Sequence, residues 1–121
     1  MKIKSLVVLL ALGLSACSGG KYAGVPKEYH ELLNQAMVTA GDNAKELKKA
    51  LKEAPADQKE GVAFLISYMP ERDAKALTAD FLLENVSYAY KARTEFPWAK
   101  DVPNDIFLND VVAYVNLNEN R

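Results

Sequence analysis

One cysteine, one histidine and sixteen carboxylates are the side chains from which this 121-residue chain could assemble reactive chemistry. Nucleophilic catalysis needs a thiolate or hydroxyl, a base beside it and an orienting carboxylate, so Cys17 and His30 come first. His30 follows Tyr29 but falls off the apolar stripe of its helix, which makes it a solvated side chain rather than a base. Asp101-Val102-Pro103-Asn104-Asp105 is rich in oxygen ligands, yet Pro103 stands where a calcium loop of the EF-hand type wants a ligand, and its turn glycine is missing. Capping explains these residues better: Asp101 or Asn104 can satisfy amide donors ahead of a final helix. No pair of carboxylates is singled out for glycoside hydrolysis by spacing or apolar surroundings. Tyr88, Tyr90, Phe96 and Trp98 cluster enough to suggest a stacking platform. Helical spacing instead turns Tyr90 inward, and Trp98 after a proline turn is expected to plug the end of a bundle. The sequon Asn85-Val86-Ser87 falls inside a predicted helix and reads as chance.

The setting of Cys17 changes its chemistry. Lys2 and Lys4 form a basic start, Leu6 to Leu14 an apolar stretch, and Ser15 and Ala16 are small enough for a peptidase. The nine residues from Leu6 to Leu14 reach only roughly 14 Å as a helix, against a hydrocarbon core of about 30 Å, so the stretch is no transmembrane span. Leu14-Ser15-Ala16-Cys17 resembles the lipobox of bacterial lipoproteins. The resemblance implies cleavage between Ala16 and Cys17 and lipid attachment at Cys17, whose sulfur becomes a thioether, neither nucleophile, metal ligand nor half of a disulfide. Several acyl chains make such retention durable where one alone is marginal. Ser18, rather than aspartate, after the cysteine is similar to the pattern of lipoproteins sent to the outer membrane. The implied location is the bacterial envelope, lipid-anchored in the outer membrane and facing the periplasm. With one histidine and no free thiol, a structural zinc site has no ligand set.

Residues 1–16 are thus expected as signal peptide, 17–25 as a flexible tether and 26–121 as one helical domain. Removal of the leader leaves about 105 residues, a usual size for one domain. It also takes Lys2 and Lys4, leaving 13 of the 15 basic residues against all 16 acidic ones, a balance near −3 that argues against nucleic acid as partner. Ser18-Gly19-Gly20-Lys21 through Gly24-Val25 reads as the tether. Tyr29, Leu32, Leu33, Ala36 and Met37 then recur at helical steps until Gly41. A second helix is expected from an Asn43 cap with Glu46 at the capping-box position, Leu47, Ala50 and Leu51 inward, and Lys45, Lys48, Lys49 and Lys52 on a solvated face. A third begins near Asp57 with Glu60 at the box position and runs to Met69. The longest, from about Asp73 to Glu95, puts Ala79, Leu82, Leu83, Val86, Ala89 and Tyr90 on one face, widened by Leu77, Phe81 and Tyr88. It is expected at the centre of the bundle. Phe96-Pro97 ends it. A last helix, Pro103 to Tyr114, is expected to bury Ile106, Phe107, Val111 and Tyr114. The fold class is all-α, a small bundle of four to five helices.

Three runs resemble the helical region ahead of the catalytic core in bacterial transglutaminase-like proteins: Tyr68-Met69-Pro70-Glu71-Arg72-Asp73, Ala79-Asp80-Phe81-Leu82-Leu83-Glu84-Asn85-Val86, and Tyr88-Ala89-Tyr90-Lys91-Ala92-Arg93. Phe96-Pro97-Trp98-Ala99-Lys100, Pro103 to Val111, and Leu117-Asn118-Glu119 with Arg121 are similar to the approach to that core. The likeness spans roughly residues 29 to 121. It implies a papain-like Cys-His-Asp domain after this region, none of whose catalytic residues has a matching position here. No catalytic residue, metal or cofactor is therefore expected, and the chain is not expected to be an enzyme. The chain is expected to be a truncated or fragment form, and its expected partners are the membrane, through Cys17, and a protein: the missing catalytic domain, for which the helices form a non-catalytic helper with an exposed apolar patch near the last segment. The alternative is a free-standing helical binding module tethered to the envelope, taking a protein or peptide between its helices.

Overall fold

The computed structural model describes residues 20–112, and among them every regular element is helical, as the all-α expectation requires. Ala16, Cys17 and Tyr114 lie outside the described residues. Helix α1 spans His30–Ala40, α2 Ala44–Glu53, α3 Lys59–Tyr68, α4 Glu71–Ala74 and α5 Ala79–Glu95. Single 3₁₀ turns lead into α1, α2 and α3. A 3₁₀ segment, Pro97–Asp101, and a short α6, Asn104–Ile106, follow α5; α6 widens into a π-helical turn over Phe107–Val111.

The core runs as one cluster from Tyr22 to Val112. Its centre is α3 rather than the long helix. Gly61, Val62, Ala63, Leu65 and Ile66 are all buried, and α3 packs against α1, α2 and α5. The reason is composition: α3 is apolar around nearly its whole circumference, whereas α5 keeps a polar stripe and buries only Ala79, Leu82, Val86 and Ala89. Leu83 and Tyr90 are partly covered, but Tyr88 is 61% exposed, so it does not widen the buried face as expected. Gly61 permits the close α3–α5 approach. A Cβ there would meet Tyr90 Cε2 at 2.8 Å and Val86 Cγ1 at 3.2 Å.

Two residues of the expected 17–25 tether pack onto the bundle. Tyr22 and Val25 are each 7% exposed and belong to the core. The Tyr22 hydroxyl donates to Asn34 Oδ1 at 2.9 Å, and His30 Nε2 donates to the Val25 carbonyl at 3.0 Å. His30 also meets the Tyr22 ring edge-on at 5.3 Å. It is a staple for the incoming chain, not the solvated side chain its position off the stripe suggested. Two apolar side chains inside a glycine-rich stretch suffice to fold it onto the bundle.

The caps also differ from expectation. Gly41 ends α1 with φ at +57°, as the spacing indicates, but the chain then turns through a 3₁₀ segment that already holds Asn43 in helical geometry. An N-cap needs an extended residue, so Asn43 does not cap α2. Its Nδ2 instead donates to the carbonyls of Ala74 (2.8 Å) and Leu77 (2.9 Å). Glu46 Oε2 accepts from the Ala79 N–H at 2.9 Å, satisfying an open donor in the first turn of α5. Asp57 and Glu60 form no cap on α3 for the same reason, a 3₁₀ entry at Ala56–Gln58. The expected 73–95 helix is broken into α4 and α5 because Thr78, extended, caps α5 by accepting from the Phe81 N–H at 3.2 Å.

Replacing Phe107, 1% exposed, with alanine is expected to cost about 3–5 kcal/mol. Gly61→Ala is expected to cost about 1–3 kcal/mol through overpacking against Tyr90. Asn43→Ala leaves two carbonyls without their donor and is expected to cost about 1–3 kcal/mol. Urea unfolding followed by circular dichroism reads all three; an Asn43→Ala midpoint equal to the parent's contradicts the bridging role.

Candidate functional site

The last segment is held to α5 by three side chains. Tyr90 meets Phe107 edge-on at 5.0 Å. The Arg93 guanidinium lies 4.3 Å from the Phe107 ring centroid, and its Nη2 donates to the Val102 carbonyl at 3.3 Å. Asn104 Oδ1 accepts from Arg93 Nη1 at 3.2 Å, while Asn104 Nδ2 donates to Glu60 Oε1 at 3.3 Å. Neither Asp101 nor Asn104 caps a helix, because Pro103 takes the cap position of α6 and Asn104 is spent bridging α3 to α5. Burial and the Glu60 carboxylate hold two tyrosine phenols in their neutral form. Burial first, and then Glu60, pushes the Tyr29 phenol up to about 12, and the same two causes raise Tyr90.

The π-helical turn then re-aims the segment. Val112 N–H donates to the Phe107 carbonyl at 3.0 Å, a span of five residues. Phe107, Leu108 and Val112 therefore share the buried face, where a 3.6-residue period selects Ile106 and Val111. Ile106 is 47% and Val111 38% exposed, so the expectation that both face the core does not hold.

Trp98 does not plug the bundle. It is exposed and stacks on Phe96, with ring centroids 5.8 Å apart at 24°. The proline turn places Ala99, not Trp98, against the protein. Among the described residues seven large hydrophobic side chains are exposed, and five of them (Tyr88, Phe96, Trp98, Ile106 and Val111) fall within residues 88–111.

Among the described residues no group of His, Cys, Asp or Glu is arranged to hold a metal ion, and no helix is long and apolar enough to cross a membrane. In the sequon, Asn85 donates to the Phe81 carbonyl within α5.

The feature that the residue pattern left unmarked is a cleft of about 430 Å³ where the chain enters the fold. Gly20, Tyr22, Val25 and Leu51 line it together with Lys21, Lys48, Lys52 and Lys59. The helical spacing of the α2 lysines was visible in the sequence; their convergence with Lys21 and Lys59 needed the fold.

A scan against protein-family models and searches of curated proteins and of solved structures found no match to this chain.

Tyr29 has a folded value near 12 against 10.0 when free, so its neutral form is favoured by folding. The contribution is complete below pH 10.0 and is lost as pH rises through about 12. A loss of up to about 2–3 kcal/mol across that window is expected in urea titrations, reduced in Tyr29→Phe. Equal pH slopes for parent and variant contradict the assignment.

Proposed function

We propose that this chain is a lipid-anchored envelope protein whose helical body is a non-catalytic docking domain, the counterpart of the region ahead of the papain-like core in transglutaminase-like proteins. Cys17 carries the lipid after cleavage behind Ala16, and the outer membrane holds the body in the periplasm. The partner is a Cys-His-Asp catalytic domain.

The observation that carries the reading is the concentration of exposed apolar side chains within residues 88–111, of which 96–100 and 103–111 are similar in sequence to the approach to such a core. Exposed apolar surface is costly to leave in water and marks contact sites when it is concentrated. Phe96 and Trp98 are stacked on each other, so two flat rings are ordered before any partner arrives. Trp98 lies on the 3₁₀ segment packed against α5, and Phe96 stands at the junction between the two, a rigid support for a contact surface.

Intact-mass analysis of protein purified from bacterial membranes is expected to show a chain that begins at Cys17 and carries acyl groups, and Cys17→Ala is expected to abolish both. Docking is tested by co-expression with a papain-like domain encoded in the same genome and co-purification. Trp98→Ala and Phe96→Ala together are expected to lose the complex. Each alters stability by less than about 0.5 kcal/mol, because both side chains are largely outside the core. An unmodified thiol at Cys17 overturns the anchor, and a complex indifferent to the double substitution overturns the docking face. A helical module that instead captures a non-catalytic envelope protein through Trp98 is the other outcome this experiment distinguishes.

A further inference from the structure

The lysine-lined cleft lies beside the point where the chain leaves toward Cys17. Lys48 and Lys52 are one helical turn apart on α2, Lys59 opens α3, and Lys21 comes from the entering segment. Four lysines from three parts of the chain thus line one cleft, and among the described residues no acidic side chain lines it. None of the four forms an ion pair among the described residues. Lys21 Nζ donates to Asn34 Oδ1 at 2.8 Å, and Lys59 Nζ donates to the Leu51 carbonyl at 2.6 Å. Both acceptors are neutral, so the positive charge is positioned without being cancelled.

The approach of Lys59 depends on Gly24. Gly24 has φ at +79°, and a Cβ there would stand 2.8 Å from Lys59 Cδ, so the lysine stem crosses a residue that has no side chain. The other wall is apolar, from Tyr22, Val25 and Leu51. Four lysines and three apolar side chains lining one cleft match an anionic group borne on an apolar body.

Geometry supplies the source of such a ligand. Gly20 lines the cleft, and the three residues from it back to Cys17 span at most about 11 Å when extended. An acyl chain on Cys17 therefore keeps Gly20, at the edge of the cleft, about one Debye length from the bilayer surface. Lys45 and Lys49 add two more ammonium groups to the same helix. Basic clusters at that distance are attracted to anionic lipid, and one lipid anchor combined with a basic patch gives firmer retention than either alone.

We infer that the cleft formed by Lys21, Lys48, Lys52 and Lys59 is a binding site for the headgroup of an anionic phospholipid in the membrane that holds the anchor. The inference rests on the anchor proposed above. It adds a second contact, one that orients the body with α2 toward the bilayer and turns a loose leash into a fixed pose.

The test offers the full membrane-purified chain two vesicle populations of different density, one of phosphatidylcholine alone and one with added phosphatidylglycerol. The total fraction that floats reports the anchor; the ratio between the populations reports the cleft. Preference for the anionic vesicles is expected, and Lys48→Gln with Lys52→Gln is expected to reduce it by about thirtyfold. Both lysines are exposed, so the fold is retained, which circular dichroism verifies. Lys45→Gln with Lys49→Gln, on the same helix but outside the cleft, is expected to have a much smaller effect. An even distribution overturns the proposal, as does an equal loss from the two double variants, which assigns the effect to diffuse charge. Inorganic phosphate that abolishes the preference at unchanged ionic strength identifies a free-anion site and overturns the lipid assignment. A low floating fraction with the ratio intact removes the anchor and leaves the cleft standing.

Discussion

Asn43 and Glu46 tie two halves of the chain together through polar contacts that span the apolar core. Their side chains reach from the start of α2 to the Ala74 and Leu77 carbonyls and to the Ala79 N–H, more than thirty residues away. Those groups are the open ends of α4 and α5, and an open helix end away from water needs a partner. By supplying donor and acceptor from one turn of α2, the protein sets where α4 stops and where α5 begins. Thr78 completes the junction locally. With the α4–α5 corner set, α5 lies along α2 and α3, and its far end carries Arg93 and Tyr90 to the place where the last segment docks.

The two surfaces of interest follow from opposite ends of this arrangement. At one end, Tyr22, His30 and Asn34 tie the entering chain to α1, and Lys59 crosses Gly24 to cap α2 through the Leu51 and Lys52 carbonyls. The same lysine closes a helix and lines the cleft, so a capping interaction and a cationic wall are one structure. At the other end, a proline turn and a π-helical turn each displace an apolar residue outward. Pro97 turns the chain so that Ala99 is covered and Trp98 is not, and the five-residue hydrogen bond from Val112 to Phe107 leaves Ile106 and Val111 outside. Trp98, Ile106 and Val111 are thereby left exposed on the body described here. That is the physical basis for reading them as contact surface.

The polar contacts around the last segment are few and connected. Glu60, Asn104 and Arg93 form one chain of hydrogen bonds that closes the final segment over α3 and α5. Tyr29 and Tyr90 feel the same carboxylate, and with their burial this keeps both phenols protonated well into the alkaline range. These groups stabilise; their neighbours are packed rings and helix backbone.

Helical periodicity alone located α1, α2, α3 and the body of α5, and the inward positions Leu33, Met37, Leu47, Ala50, Leu51, Leu82 and Val86 are buried. This was legible because an apolar stripe at 3.6-residue steps has only one way to leave water. The punctuation at Gly41 and Phe96-Pro97 was legible for a similar local reason, the backbone limits of glycine and proline. Capping partners were not, because a 3₁₀ entry removes the extended residue that a cap requires and frees Asn43 and Glu46 to serve helices distant in sequence. The burial of the last segment was not, because a π-helical turn changes the period on which the inference rests. Nor was the cleft: a lysine stripe on an isolated helix reads as a solvated face, and only the packing of α2 beside α3 and the entering chain brings Lys21 and Lys59 to meet it. Local chemistry determined which residues leave water. Tertiary contacts between distant segments decided which polar groups are left to bind.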